Sequence, residues 1–395
     1  MRQAARRRDP FVVTAYSMCN GLGRSATEVT AKLRAGTRGL QECPLTVPFD
    51  TVCGVVSDPL PQLPTTLREY DARMVRLGLL GLEGVRDALD RAVVRWGRDR
   101  VGMLIGTSTG GIAETEQALD VWRNDGRFPP QYDFETQHQF FAFTHALSLV
   151  TGIRGPCYVV STACSASAKV VASAERLLQA GLADAVLVGG VDTLCHTTIR
   201  GFHSLGVLSP TPCRPFCADR QGMNVGEGAA FLLLERTGDG VAVLLGAGES
   251  SDAHHMSAPD PEGRGAVLAM ERALHQAGLA AEDVDYVNAH GTGTKRNDLA
   301  EAKAIWSIFG DAVPVVSTKG YTGHLLGAGG ATEAVFVLVA IDQGWIPGNI
   351  DVKPIDPEIR AHIPHASLDR PVRVALSNSF AFGGNNVCLA FGAPS

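Results

Sequence analysis

Val159-Val160-Ser161-Thr162-Ala163-Cys164-Ser165-Ala166-Ser167-Ala168-Lys169-Val170-Val171-Ala172-Ser173-Ala174-Glu175-Arg176-Leu177-Leu178 reads in three parts. The first is short and β-branched and predicts a buried strand. The second is a run of small residues. The third carries a helical pattern of apolar positions. Cys164 therefore stands at a strand-to-helix junction, near the positive end of a helix dipole. Such a position is expected to favour the thiolate, the form that attacks carbon. Ala163, Ser165 and Ala166 are small and leave room for a ligand. A buried structural cysteine has the same local signature, so the rest of the chain must decide between the two.

The stretch has an echo. Val315-Val316-Ser317-Thr318 repeats its start 156 residues later. Each copy leads through small residues into a long apolar helix that ends at glycine, at Gln179-Ala180-Gly181 and at Asp342-Gln343-Gly344. The repetition predicts an internal duplication. Further strand candidates lie at residues 11–15, at 101–105 before the glycine-rich Gly106-Thr107-Ser108-Thr109-Gly110-Gly111, at 185–188 before Gly189-Gly190, and at 230–234. Strands alternating with helices predict an α/β protein with largely buried sheets. The polar residues 236–240 either join two halves or form a loop in an undivided domain.

Composition narrows the function. A chain of 395 residues, 45% apolar and 19% charged, is long enough for two domains or one large duplicated one. The net charge of −6 argues against wholesale nucleic-acid binding. Nine cysteines, an odd number with no CxxC spacing, fit a reduced, cytoplasmic protein better than a disulfide framework. Residues 1–10 are Arg-rich but lack the apolar core of a secretory signal. No run approaches the ~20 apolar residues of a spanning helix, so membrane insertion is not expected.

Two histidine motifs tip Cys164 toward chemistry. In Val287-Asn288-Ala289-His290-Gly291-Thr292-Gly293-Thr294, a strand at 284–287 delivers His290 to a tight loop rich in hydrogen-bond donors. There an imidazole can polarise a carbonyl or move a proton, or simply stabilise its own loop. In Ser317-Thr318-Lys319-Gly320-Tyr321-Thr322-Gly323-His324, the second histidine lies near a helix start. Lys319, in the same loop, can orient an imidazole or tune its charge through Glu333, or form a purely structural pair with it. A last motif, Ser377-Asn378-Ser379-Phe380-Ala381-Phe382-Gly383-Gly384-Asn385-Asn386, follows a strand at 372–376. Its backbone N–H groups can face a ligand and stabilise an oxyanion.

Taken in order, the segments Ser161-Thr162-Ala163-Cys164-Ser165, Leu208-Ser209 with Arg214-Pro215-Phe216, Gly226-Glu227-Gly228-Ala229, Asn288-Ala289-His290-Gly291-Thr292-Gly293-Thr294, Lys319 with Thr322-Gly323-His324, and Asn378-Ser379-Phe380 with Phe382-Gly383-Gly384 carry a resemblance. The chain resembles the β-ketoacyl-acyl-carrier-protein synthases, the elongating condensing enzymes of the thiolase superfamily, over residues 11–391. The resemblance implies a thiolase-like fold of two duplicated βαβαβαββ halves, residues 11–238 and 239–395, in a five-layer αβαβα arrangement. It implies an acyltransferase in fatty-acid or polyketide and polyene chain elongation. Cys164 would carry the acyl group, and His290 and His324 would bind the malonyl thioester and promote its decarboxylation. Lys319 would belong to the catalytic set with them, and Glu333 would support it. The N–H groups of Cys164 and Phe382 would form the oxyanion hole. Thr292 and Thr294 would contact the phosphopantetheine arm, Phe202 and the gating Phe382 the substrate, and Thr109 the acyl chain. No metal or cofactor is implied, because the phosphopantetheine arm belongs to the acyl-carrier-protein substrate.

Rivals fit less well. A degradative thiolase needs a Cys-x-Gly near its end, and Cys388 is followed by Leu389-Ala390. The initiating synthases pair cysteine and histidine with asparagine, where this chain has His324. A non-catalytic chain-length-factor subunit would lack the nucleophile. The chain departs from the family's usual residues at Cys217, Lys295, Gly320-Tyr321, Ala381 and Asn385. Ala381 replaces a glycine beside the gate and would restrict its backbone. An acidic carrier protein calls for a basic rim, with Arg73, Arg76, Arg123 and Arg127 as candidates. A homodimer, or a heterodimer with a related subunit, is expected, with residues 140–150 as interface or as core. The Thr109 hydroxyl is expected to bond to its own loop backbone.

Overall fold

The computed structural model describes residues 10–394. The Arg-rich segment at the start falls almost wholly outside them. Ten strands form one mixed sheet: β1 (Phe11–Cys19), β2 (Val101–Gly106), β3 (Cys157–Val160), β4 (Ala185–Asp192), β5 (Gly228–Glu235), β6 (Ala242–Ser251), β7 (Tyr286–Asn288), β8 (Val315–Val316), β9 (Val374–Phe380) and β10 (Asn385–Gly392). Their order is β8-β7-β9-β10-β6-β1-β5-β4-β2-β3. In each half three strands are parallel and the other pairings are antiparallel. The order reads the same from both edges when each strand of the first half is matched with the one five places later. The duplication seen in Val159-Val160-Ser161-Thr162 and Val315-Val316-Ser317-Thr318 is thus a duplication of topology. The halves join where β1 pairs antiparallel with β6, Val12 opposite Val243.

The strands read as continuous apolar runs because both faces are covered. Period-two alternation sorts their side chains. Leu104, Val186 and Leu232 of the first half, with Val316, Ala375 and Leu389 of the second, point to a shared middle layer. That layer is two helices, α5 (Ala166–Gln179) and α9 (Gly329–Gln343). Met103, Leu187 and Leu233 face outward onto α1 (Arg73–Glu83), α2 (Arg86–Trp96) and α4 (Phe140–Thr151). Val287, Leu376 and Ala390 face α7 (Arg264–Ala277) and α8 (Lys295–Phe309) on the other side. The result is five layers, αβαβα. Each fully buried Val or Leu in it is worth about 1.5–3 kcal/mol. Two helices outside this stack, α3 (Ile112–Asp125) and α6 (His196–Ser204), flank the site.

Several expectations change. The strand before Cys164 is not buried: β3 is an edge strand, and Tyr158 is exposed. The strand expected at 372–376 runs on to Phe380, so Asn378, Ser379 and Phe380 are ladder residues rather than loop. His290 follows a shorter strand that ends at Asn288. Residues 140–150 divide by helical face. Phe143 and Leu147 are core, while Phe141 and Leu149 are exposed. By length and composition the segment Leu326–Gln343 is apolar enough to cross a membrane, but it is 89% buried and includes the central helix α9.

Candidate active site

Cys164 sits on a sharp turn between β3 and α5. Ala163 before it has φ +49°, a left-handed conformation that costs a non-glycine residue about 1–3 kcal/mol. The turn holds because the Ala166 N–H donates to the Ala163 carbonyl at 3.0 Å and the Ser165 hydroxyl donates to the Thr162 carbonyl at 3.0 Å. The N–H groups of Cys164 and Phe382 act on the sulfur and lower the thiol's value. The expected thiolate is not the resting form. Burial pushes the thiol up to about 11, and Lys319 and the two N–H groups recover only part of this.

His290 is 3% exposed and His324 is 1% exposed. Their rings meet edge to face with centroids 5.2 Å apart. Lys319, in a short helix (Lys319–Thr322) rather than a loop, is buried beneath them. Its Nζ donates to the His290 carbonyl at 2.5 Å and lies 3.4 Å from His290 Nδ1. It also pairs with Glu333. An ammonium facing Nδ1 leaves that atom an acceptor and assigns the proton to Nε2. Neither ring nitrogen of His324 has a hydrogen-bond partner. Burial first, and the charge of Lys319 next, hold both imidazoles well below their ordinary value. Both are therefore neutral at physiological pH. Burial pushes Glu333 up to about 7 against the pull of Lys319.

Cys164, His290 and His324 line one cavity of about 660 Å³. Phe380 stands beside His290, with centroids 6.1 Å apart. Thr292 and Thr294 line the wall toward the mouth, with their hydroxyls 2.9 Å apart. Phe202, on α6, meets the ring of Phe382 edge-on at 5.9 Å, and both line the cavity. Ala381 is extended at φ −122°, which any residue adopts, so it does not strain the gate. The left-handed positions are Gly383 and Gly384. The Gly383 N–H donates to the Met256 carbonyl at 2.8 Å, which ties this loop to residues 252–259.

Thr109 does not join the group. Its hydroxyl donates to Asp192 Oδ1 at 2.7 Å rather than mainly to its own loop, and it is absent from the cavity lining. Asp192 also accepts from Thr107, the Ser108 N–H and the Ala328 N–H, so it ties the glycine-rich loop to the start of α9. Three of the four candidate rim arginines are occupied. Arg73 is paired with Glu227 at 2.6 Å, Arg76 with Asp71 at 2.8 Å and Arg123 with Asp120 at 3.1 Å. None of the four lines the cavity.

Two carboxylates escaped the sequence reading. Glu301 accepts the N–H groups of His290 and Gly291, each at 2.7 Å. Asp298 accepts those of Gly293 and Phe216, at 3.1 and 2.9 Å. They fix the backbone of the histidine loop from below. A signal existed, because the two stand three apart on the helix that follows the motif and so share a face.

The chain is similar to known proteins over nearly its whole length. Residues 8–240 match the model of the beta-ketoacyl synthase N-terminal domain, and residues 241–353 that of its C-terminal domain. The chain is 34% identical to Nodulation protein E of Rhizobium meliloti (strain 1021), covering 96% of this chain and 98% of that one. It is 37% identical to 3-oxoacyl-[acyl-carrier-protein] synthase 2 of Staphylococcus aureus, over 74% of this chain and 77% of the other. A chain of the ketosynthase ApeO in complex with its chain length factor ApeC, from Xenorhabdus doucetiae, superposes with a TM-score of 0.92. That pair is 38% identical, covering 99% of this chain and 100% of that one.

Proposed function

The chain belongs to the beta-ketoacyl synthase family, and from that premise we propose that it is a condensing enzyme acting on acyl and malonyl thioesters of an acyl carrier protein. The observation that carries the proposal is one cavity holding a thiol and two neutral imidazoles with nitrogens free to face a ligand. Cys164 attacks the acyl thioester carbonyl, and its proton leaves with the departing pantetheine thiol. The N–H groups of Cys164 and Phe382 stabilise the oxyanion. The malonyl thioester then occupies the same channel. Nε2–H of His290 and of His324 donate to its carbonyl oxygen, where enolate charge gathers as carbon dioxide leaves. The enolate carbon attacks the acyl-Cys164 carbonyl and expels the sulfur. Lys319, with Glu333 as counter-charge, keeps His290 in the tautomer this requires. Incubation with octanoyl- and malonyl-carrier protein should give the β-ketodecanoyl product and an acyl adduct on Cys164 by mass spectrometry. Absence of both refutes the proposal.

The intact Cys164 favours this reading over a non-catalytic chain-length-factor-like subunit. The nine unpaired cysteines support a reducing, cytoplasmic setting. The likeness to a chain of a ketosynthase–chain length factor complex supports specialised polyketide or polyene elongation, and pairing with a second subunit of the same fold.

The neutral imidazoles give a pH signature. Their folded values are depressed, so the stability they contribute is present above about 6.5 and is lost as pH falls through the folded values. Malonyl decarboxylation should therefore stay level as pH falls through about 6.5, where an ordinary histidine titrates. An inflection there in kcat would contradict neutral donors.

Assembly follows from the edge strand. β3 presents unpaired backbone beside Tyr158, and α4 exposes Phe141 (59%) and Leu149 (50%). An uncovered apolar edge invites strand pairing. Sedimentation should show twice the chain mass of 41.7 kDa, or a heterodimer with a related subunit, and Phe141→Asp should shift it to monomer. A monomer at micromolar concentration, alone and with such a subunit, rules out this interface.

A further inference from the structure

The cavity mouth carries two cations that the reaction leaves unused. Lys295 and Arg296 line the same cavity as Cys164, follow Thr294 directly and are exposed at its outer end. Neither has an ion-pair partner within 4 Å among the described residues. The other charged lining groups are already engaged. Arg220 is buried and holds Asp356 at 2.6 Å and Asp298 at 3.5 Å. Asp252 accepts from Asn386 at 2.7 Å. Asp356 feels the charge of Lys295, but its short contact is to Arg220.

Their position is electrostatically costly. They are the first two residues of the fifteen-residue helix α8. The start of a helix favours anions and disfavours cations. Two adjacent cations there repel the dipole and each other, and the carboxylates beneath them are taken. An anion arriving at the mouth offsets all of this at once. The ligand reaching past Thr292 and Thr294 to Cys164 carries one anionic group at its outer end, the phosphodiester joining the prosthetic arm to the carrier protein.

We infer that Lys295 and Arg296 form a binding site for the phosphate group of the phosphopantetheine arm. The inference takes its ligand from the condensing-enzyme reading above. The cations give the substrate its register in the channel. The threonine hydroxyls meet the amides of the arm, the cation pair meets the phosphate, and the thioester is left at the imidazoles. This contact is distinct from the basic rim sought among Arg73, Arg76, Arg123 and Arg127, which was to meet acidic side chains of the carrier protein. Lys295 stands where the usual family residue is uncharged, so the contact is a property of this chain.

Binding alone tests it. The probes are pantetheine and the methyl ester of 4′-phosphopantetheine, which has the single negative charge the arm carries on a carrier protein. Both are titrated by ligand-observed NMR into the full chain. The wild type should bind the phosphorylated probe about tenfold more tightly, the scale of two exposed charge contacts. The preference should weaken as salt is raised. Lys295→Gln/Arg296→Gln should bring the ratio close to one. Both side chains are exposed, and an unchanged circular dichroism melt controls for folding. Equal binding of the two probes by the wild type overturns the inference, and so does a preference that survives in the double variant. If only carrier-protein affinity falls in the double variant, the pair reads acidic side chains of the carrier and the phosphate assignment fails. A protein that prefers the phosphorylated probe through these residues yet condenses nothing keeps the site and loses the proposed function.

Discussion

Cys164→Ala should lose chain elongation altogether, a fall of about a thousandfold or more, because removing a nucleophile removes the covalent step itself. The eight other cysteines cannot replace it, since Cys164 is the one cysteine lining the cavity. Folding should be little affected. The side chain is small, and its loss costs about 1 kcal/mol on the usual scale of a conservative change in a buried site. The variant should also separate the two halves of the reaction. His290, His324 and Lys319 remain in place, so malonyl-carrier protein should still lose carbon dioxide. The enolate then has no acyl group to attack and is quenched by a proton. The measurements are product formation by mass spectrometry and carbon dioxide release from labelled malonyl-carrier protein. Elongation near the wild-type rate would refute the assignment of Cys164. Loss of both activities in a folded protein would mean that the sulfur also takes part in decarboxylation.

What the sequence disclosed, and what it withheld, follows from the range of the interactions involved. The junctions carrying Cys164, His290 and His324 were legible because each is local: a β-branched run, small or glycine residues, then a helical pattern. The duplication was legible for the same reason, and the ladder order repeats it. Pairings across distance were not. Along the chain the nearest partner for Thr109 is its own loop, yet the carboxylate it reaches is 83 residues away. Arg73 looks like a free cation until Glu227, 154 residues on, is placed beside it. The state of the Cys164 thiol was misread because a helix start is visible in sequence and the burial that outweighs it is not. Edge position is equally hidden. Val159-Val160 reads as core, and only the missing neighbour of β3 makes it an edge.

Lys319→Ala should have the largest effect on stability, with a pH dependence that identifies its cause. The pair with Glu333 is buried on both sides, Lys319 at 2% and Glu333 at 4% side-chain exposure. Removing one partner of such a pair leaves a buried charge and costs about 3–5 kcal/mol. The sign of the pH effect follows from Glu333. Its folded value is already raised to about 7 with Lys319 present, and loss of Lys319 raises it further. An acid whose folded value is raised contributes stability that is complete below its unfolded value, near 4.5, and disappears as pH rises through the folded one. The deficit of Lys319→Ala should therefore be small up to about pH 7, where Glu333 is protonated in both folded proteins, and grow above it as the carboxyl ionises in the wild type and not in the variant. Adding Glu333→Gln should restore most of the stability, because a neutral amide no longer needs the ammonium. It should not restore chemistry. His290 would still lack the donor that holds Nδ1 as an acceptor and its carbonyl in place, and decarboxylation should remain down by about a hundredfold. Urea midpoints across pH and carbon dioxide release from the two variants make the test. If the double variant recovers both stability and rate, Lys319 is a structural counter-ion and the tautomer of His290 is set elsewhere.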